Sequence, residues 1–257
     1  MKKLTLTVLS ILLFFGLSGA ILAQDNMMKP QLFYMHEEVV PVNMVDQYEK
    51  TSRELVPVFK DLKLPLPFYA SQRDDYHYYY ISPLSNYASI DTLVQAFGKF
   101  MKDATSNADY QKLLDENNES IDYTQDYVLS RSANLSYHPE GSNMNDTSMK
   151  FIHWDFYTVK SGGMDKVIDL AKKYKELSMQ KGIKTPYTIW FVALGPNNNL
   201  IVQTRVAKSA EDFYETAKKD DTTLGKDGED IYNQMVPYLV KFNHINGTIR
   251  PDLSYMP

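Results

Sequence analysis

Alternating apolar and polar residues mark the strands of this chain, and a three-to-four-residue apolar repeat marks its helices. From Phe151 to Val159 aromatic and polar residues alternate as in a half-buried strand, and Ser161-Gly162-Gly163 ends the pattern. Met164, Val167, Ile168, Ala171, Tyr174 and Leu177 then recur at helical spacing. Tyr187–Leu194 and residues 200–206 read as strands joined through Gly195-Pro196-Asn197-Asn198-Asn199, a hairpin signal. Ser209 followed by Asp212 has the layout of a helix N-cap. A further helical stretch is expected over 229–240 and a last strand over 244–250. The first half reads the same way: a strand over 32–40, a helix over 44–62, strands over 67–73 and 77–82, then helical pieces within 90–118. Pro57 falls inside the first helix and is expected to kink or split it. Residues 124–131 stay open between a strand and a helix end.

The similarity of the halves extends to particular residues. Leu135-Ser136-Tyr137-His138-Pro139 returns 118 residues later as Leu253-Ser254-Tyr255-Met256-Pro257. Val40 and Pro67 lie 27 residues apart, as do Val159 and Pro186, at an offset of 119, and Ser89 matches Ser209 at 120. Three anchors with so little drift predict a duplication. One copy is expected over 31–139 and the other over 149–257, with a polar linker over 140–148. Each copy has the order β-α-β-β-α-β of a ferredoxin-like unit, an α+β design whose helices cover one sheet face and leave the other open. Two such open faces, rich in aromatics, are expected to stack on each other.

By its element order, duplication and L-S-Y-x-P endings, the chain resembles a tandem version of the dimeric α/β-barrel superfamily. NIPSNAP-like proteins and antibiotic-biosynthesis monooxygenases share that architecture. The resemblance covers 31–257, and no catalytic signature of a subfamily accompanies it. It implies an intramolecular barrel with a small-molecule site between the repeats. The chemistry implied is cofactor-independent, monooxygenase- or isomerase-like. The rival reading is a ligand-binding or interaction module without turnover.

The first 23 residues carry a different message. Lys2 and Lys3 precede an apolar run from Leu4 to Leu17 and a small-residue exit, the layout of a secretory signal peptide. Cleavage is expected after Ala23, with Ala20 as the alternative, leaving 24–30 as an N-terminal linker and a protein exported to the periplasm or the extracellular space. Its two lysines are its only charges, so cleavage takes the net charge from −5 to −7. Such a chain has no basic field for nucleic acid. There is no cysteine, which excludes disulfides, thiolate nucleophiles and cysteine-held metals. The mature chain is expected off the membrane, as a monomer with pseudo-twofold symmetry or a homodimer.

Alternate residues of a strand face opposite sides. On 151–159 the uniformly apolar side, Ile152, Trp154 and Phe156, is expected on the helices, leaving His153, Asp155 and Tyr157 to face the space between the sheets. At the repeat offset these positions become Tyr34, His36 and Glu38. A histidine beside a carboxylate can act as a general base, which makes His153 with Asp155 and His36 with Glu38 candidate catalytic pairs. Tyr34 and Tyr157 could orient a substrate oxygen, and Arg205 and Arg250 could clamp an anion. The plainer reading is a polar seam in which these groups satisfy one another. His36, Glu38, His153 and Asp155 are also ligand types for a divalent metal, although no spacing motif sets a geometry. The resemblance brings haem into view too, with His36, His153 or His244 as possible iron ligands. No cofactor is predicted from the residues themselves. His77, within the Tyr76–Tyr80 cluster, and His138 are expected at the surface. In that cluster Tyr78 and Tyr80 are expected inside, with Tyr76 and Tyr79 over an edge strand, or else the cluster forms an aromatic platform for a flat ligand. No nucleophile elbow, phosphate loop, dinucleotide fingerprint or zincin motif occurs.

Overall fold

A computed structural model describes residues 31–143 and 146–257. The expected leader and its cleavage sites lie outside the described residues. Among those residues no helix is long and apolar enough to cross a membrane.

In the first half, strand β1 (Gln31–Val39) leads into helix α1 (Val45–Asp61), strands β2 (Tyr69–Arg73) and β3 (His77–Leu84), helices α2 (Ser89–Thr105) and α3 (Ala108–Asn118), and strand β4 (Tyr123–Tyr137). The second half repeats this with β5 (Phe151–Val159), α4 (Met164–Gln180), β6 (Tyr187–Leu194), β7 (Leu200–Ala207), α5 (Ala210–Met235) and β8 (Leu239–Ile249). The segment left open in the sequence is therefore strand, part of the 15-residue β4. Helix α1 runs unbroken through Pro57. That proline sits on the exposed side, where water can take the carbonyl its missing N–H leaves unpaired. Asn107 separates α2 from α3 by capping the latter, accepting from the N–H groups of Asp109 and Tyr110. As expected, the last helical region is in two runs, α5 breaking at the non-helical Gly225, but the second run ends at Met235 and β8 begins at Leu239.

The strands close into one antiparallel barrel in the order β1-β3-β2-β8-β5-β7-β6-β4, two ferredoxin-like sheets joined edge to edge. The repeated endings make the joints. Tyr255 bridges Phe68 at the head of β2, and Tyr137 pairs with Tyr187 at the head of β6. Ser254 Oγ accepts from Ala70 N–H at 2.8 Å, as Ser136 Oγ accepts from Ile189 N–H at 2.9 Å. Tyr255 Oη donates to the Leu64 carbonyl, and Tyr137 Oη to that of Ile183. Each half's ending thus clasps the other half, while Leu135 and Leu253 bury their side chains beneath the joints. Gly247 is required where β8 meets β2: a Cβ there would stand 2.0 Å from the Gln72 carbonyl oxygen and 2.7 Å from Trp154.

Tyr79, Trp154 and Val202 form the buried centre of the barrel interior, with Met35, Ile152, Phe156, Trp190 and Ile245 around them. Tyr79 meets Trp154 edge-on at 5.8 Å across the two halves. The helices pack on the outer sheet faces. Leu55, Val58 and Phe100 make the first half's core there, and Val167, Ile189, Ile201 and Leu224 the second's.

Candidate functional site

Strand β5 is buried on both faces, and the structure reverses the assignment made from its sequence. Ile152, Trp154 and Phe156 point into the barrel, whereas His153, Asp155 and Tyr157 point outward under α4 and α5. Tyr34, His36 and Glu38 likewise face the helices of the first half, while Met35 faces the barrel. A strand covered on one side by helices and on the other by the packed interior of a closed barrel has no wet face, so polarity alone does not orient it.

The outward face of the second sheet carries a cavity of about 780 Å³, roofed by α4 and α5. Asp155 and Tyr157 of β5 and Gln203 and Arg205 of β7 form the polar part of its floor. Tyr174 of α4, Tyr187 of β6, Tyr232 of α5 and Phe242 of β8 supply aromatic walls. Burial pushes the phenols of Tyr157, Tyr174 and Tyr187 above their usual range, so all three are neutral hydroxyls at physiological pH. The roof is irregular at Gly225, whose backbone (φ 57°, ψ −145°) breaks the helical run of α5. Sequence reasoning missed Gln203, Tyr174, Tyr187 and Tyr232 as lining residues. Gly225 and Gly228, interrupting a helical pattern, are the signal that marks this roof.

Behind the floor, His153 is only 3% exposed and stacks on Phe213 of α5 at 4.5 Å. Its Nδ1 lies 2.7 Å from Asn246 Oδ1 and its Nε2 3.1 Å from Asp155 Oδ1. The other carboxylate oxygen of Asp155 accepts from Gln203 Nε2 at 3.4 Å and lies 3.5 Å from an Arg205 amino nitrogen. Arg205 stacks over Phe213 at 4.7 Å, and its buried Nε has no hydrogen-bond partner among the described residues. Of the predicted set, Asp155, Tyr157 and Arg205 therefore line one cavity, with His153 one hydrogen bond behind.

The other predicted residues go elsewhere. Arg250 is buried and donates to Glu49 of α1, Gln72 of β2 and Asp252, which ties the end of the chain to the first half and leaves no anion clamp. Burial opposes the charge on Glu49, but Arg250 and Arg53 hold its carboxyl below the usual range. His36 lies between Asp126 Oδ1, 2.7 Å from Nδ1, and Glu38 Oε1, 3.3 Å from Nε2. Burial disfavours its charge, yet the two carboxylates outweigh that and push it up to about 9. It is a cation at neutral pH rather than a free base. Glu38 in turn is hydrogen-bonded to Tyr48, which meets Tyr80 at 2.6 Å, so tyrosines fill the helix-facing space there.

The barrel mouth holds a further correction. His77 is partly buried rather than at the surface, with Nδ1 2.6 Å from the buried Glu37, which also accepts from Tyr127. Tyr78 and Tyr80, expected inside, pack beneath the helices, but Tyr79 points into the barrel and accepts from Arg73 at 2.8 Å. Strand β3 is flanked by β1 and β2, so there is no edge for Tyr79 to cover.

Among the described residues, no three histidine, aspartate or glutamate side chains converge as a metal set. His36 and Glu38 sit in one half and His153 and Asp155 in the other, each pair against its own helices. Haem does not fit the cavity's donor set. None of the five histidines lines it, and the chain has no cysteine.

No protein-family profile matches the chain, and neither does any curated protein sequence. Its fold is that of solved structures of very low identity. An anthrone oxidase-like protein superposes with a TM-score of 0.57 at 6% identity, covering 86% of this chain and 92% of the other. A candidate monooxygenase of Fusobacterium nucleatum gives 0.52 at 11% identity, over 87% and 94%. Chlorite dismutase from Candidatus Nitrospira defluvii, solved with imidazole, gives 0.51 at 8%, over 86% and 92%. The chain has the dimeric α/β-barrel fold with both repeats in one polypeptide.

Proposed function

From a tandem α/β barrel with a hollow second half, we propose that the protein is an exported enzyme acting on a small organic molecule held between the second sheet and helices α4 and α5. The observation that carries this reading is the cavity itself, in which Asp155, Gln203 and Arg205 interrupt apolar and aromatic walls below a charged rim of Asp221, Lys226 and Glu229. Its chemistry is monooxygenase- or isomerase-like and needs no cofactor. Asp155 receives a proton from a conjugated substrate, and His153, held by Asn246, supports the carboxylate from behind. In an oxygenase the resulting carbanion reduces dioxygen and combines with it to a peroxide, which takes up the proton and loses water to leave a carbonyl; in an isomerase it regains the proton at another carbon. The monooxygenase and oxidase assignments of proteins with this fold support the choice. The leader-like residues 1–23 support export.

The deciding experiment is a screen of conjugated ketones, phenols and acids for thermal stabilisation of the mature chain, followed by turnover assays on every hit. Asp155→Asn is expected to keep binding and lose turnover by about 10²-fold or more. A variant that turns over normally overturns the assignment. One observation favours a second reading, a binding module without turnover: His153 does not itself line the cavity. Hits that bind without conversion by the native protein would establish that reading.

A further inference from the structure

The cavity's one arginine points to what it holds. Arg73 and Arg250 show how this protein satisfies a buried guanidinium: Arg73 donates to Asp75 and Tyr79, and Arg250 to Glu49, Gln72 and Asp252. Arg205 is different. It stacks on Phe213, and among the described residues its only ion pair is the loose 3.5 Å approach to Asp155 and its buried Nε donates to nothing. The Arg205 side chain is 22% exposed, so its outer amino groups reach water, but its buried Nε is left without an acceptor, and a carboxylate meets Nε and an amino group together best. Asp155 is a poor substitute because only one of its oxygens approaches one Arg205 amino nitrogen, at 3.5 Å, while the other faces His153, so the fork is left unmatched. The remaining charges on the cavity are Asp221, Lys226 and Glu229, all exposed on α5 at the rim, where solvent screens them. The rest of the lining is apolar, with aliphatic side chains such as Val167, Ile201 and Met235 beside aromatic rings from β5, α4, β6, α5 and β8.

We infer that the ligand of this cavity is an aromatic or extended conjugated carboxylic acid, its ring system among Tyr157, Tyr174, Tyr232 and Phe242 and its carboxylate on Arg205. This rests on the reading of the cavity as a small-molecule site and adds the class of molecule. Arg205 is the specificity-determining residue: it selects the acid over an uncharged molecule of the same shape.

The test compares 2-naphthoate with 2-naphthamide, followed by their own fluorescence, on the mature chain at pH 7.5. The acid is expected to bind at least about tenfold more tightly than the amide, and Arg205→Gln is expected to bring the ratio to about one by weakening the acid alone. Arg205→Lys, which keeps the charge without the fork, should fall between. Ile231→Trp, on the roof, should weaken both probes. Equal affinity of acid and amide for the native protein overturns the proposed class and leaves the cavity reading standing. A preference that survives Arg205→Gln overturns Arg205 as its source. Binding untouched by Ile231→Trp puts the probes elsewhere and overturns the inference. Failure of both probes to bind at about 1 mM defeats the cavity reading and the inference together. If Arg205→Gln does not fold, the native acid-to-amide ratio and Arg205→Lys still decide.

Discussion

His36 shows how a residue read as a catalytic base can be a structural cation. Burial alone would lower its proton affinity, but Asp126 and Glu38 on its two ring nitrogens push it up to about 9 from an ordinary value of 6.5. Because the folded value is raised, the stabilisation is fully present below pH 6.5 and is lost as pH rises through 9. Its side chain is 31% exposed and Asp126 is 55% exposed, so solvent reduces the contribution to about 1–2 kcal/mol. Denaturant unfolding of native protein and His36→Gln across pH 6 to 10 should show the native protein ahead at pH 6 and the gap closing above pH 9. A gap constant over that range would contradict the assignment. Gly247 gives a sharper expectation. Its missing Cβ is what lets β8 lie against the Gln72 carbonyl and Trp154, so Gly247→Ala should lower stability by more than about 3 kcal/mol in the same assay. At this scale the sequence shows residue types and spacing but not which face is which. The pairing of histidine with carboxylate was legible on 153–155, and so was Arg205. The direction in which they point was not, because a strand with two buried faces offers no polar side to choose from.

Elements were legible wherever one face differs from the other. Helix α4 follows its predicted apolar positions from Met164 to Leu177, and the β6–β7 hairpin turns where Gly195-Pro196 indicated. Boundaries failed where a local signal met a tertiary demand. Val240 looked like the end of a helix, but β8 needs the residues from Leu239 to pair along β5. The two helical runs of α5 meet at Gly225, where the roof of the cavity bends, a few residues before the sequence placed the second run. The bend depends on backbone freedom alone: a Cβ at 225 would meet nothing within 4 Å, yet its φ and ψ lie in a region open essentially to glycine. Gly225→Ala is therefore expected to cost about 1–3 kcal/mol from backbone strain, or to straighten α5 and narrow the cavity. Equilibrium unfolding measures the first, and the affinity of 2-naphthoate reports the second. An unchanged protein by both measures would show that the bend is not needed.

The tandem architecture was the most legible property of the molecule, because the L-S-Y-x-P endings are the joints of the barrel and not incidental repeats. In each, a serine hydroxyl takes an edge N–H of the opposite half while passing its own hydrogen to a carbonyl four residues back. A tyrosine hydroxyl then reaches a carbonyl just past the opposite half's first helix. The interior adds contacts such as Tyr79 with Trp154, and Arg250 ties the last residues to α1 and β2. None of these contacts requires the peptide connection at 140–148, which only raises the effective concentration of one half near the other. A protease site placed between Asn143 and Asp146 and then cut should leave a particle of unchanged size in gel filtration. It should still melt in a single transition, at a temperature that now rises with protein concentration because association has become bimolecular. Removing both serine hydroxyls, Ser136→Ala with Ser254→Ala, takes one edge acceptor from each joint, at roughly 1 kcal/mol apiece in the uncut chain. In the cut protein the same change should shift the equilibrium toward separate halves. Halves that part immediately on cutting, with the serines intact, would mean that the linker and not the clasped endings holds the barrel closed.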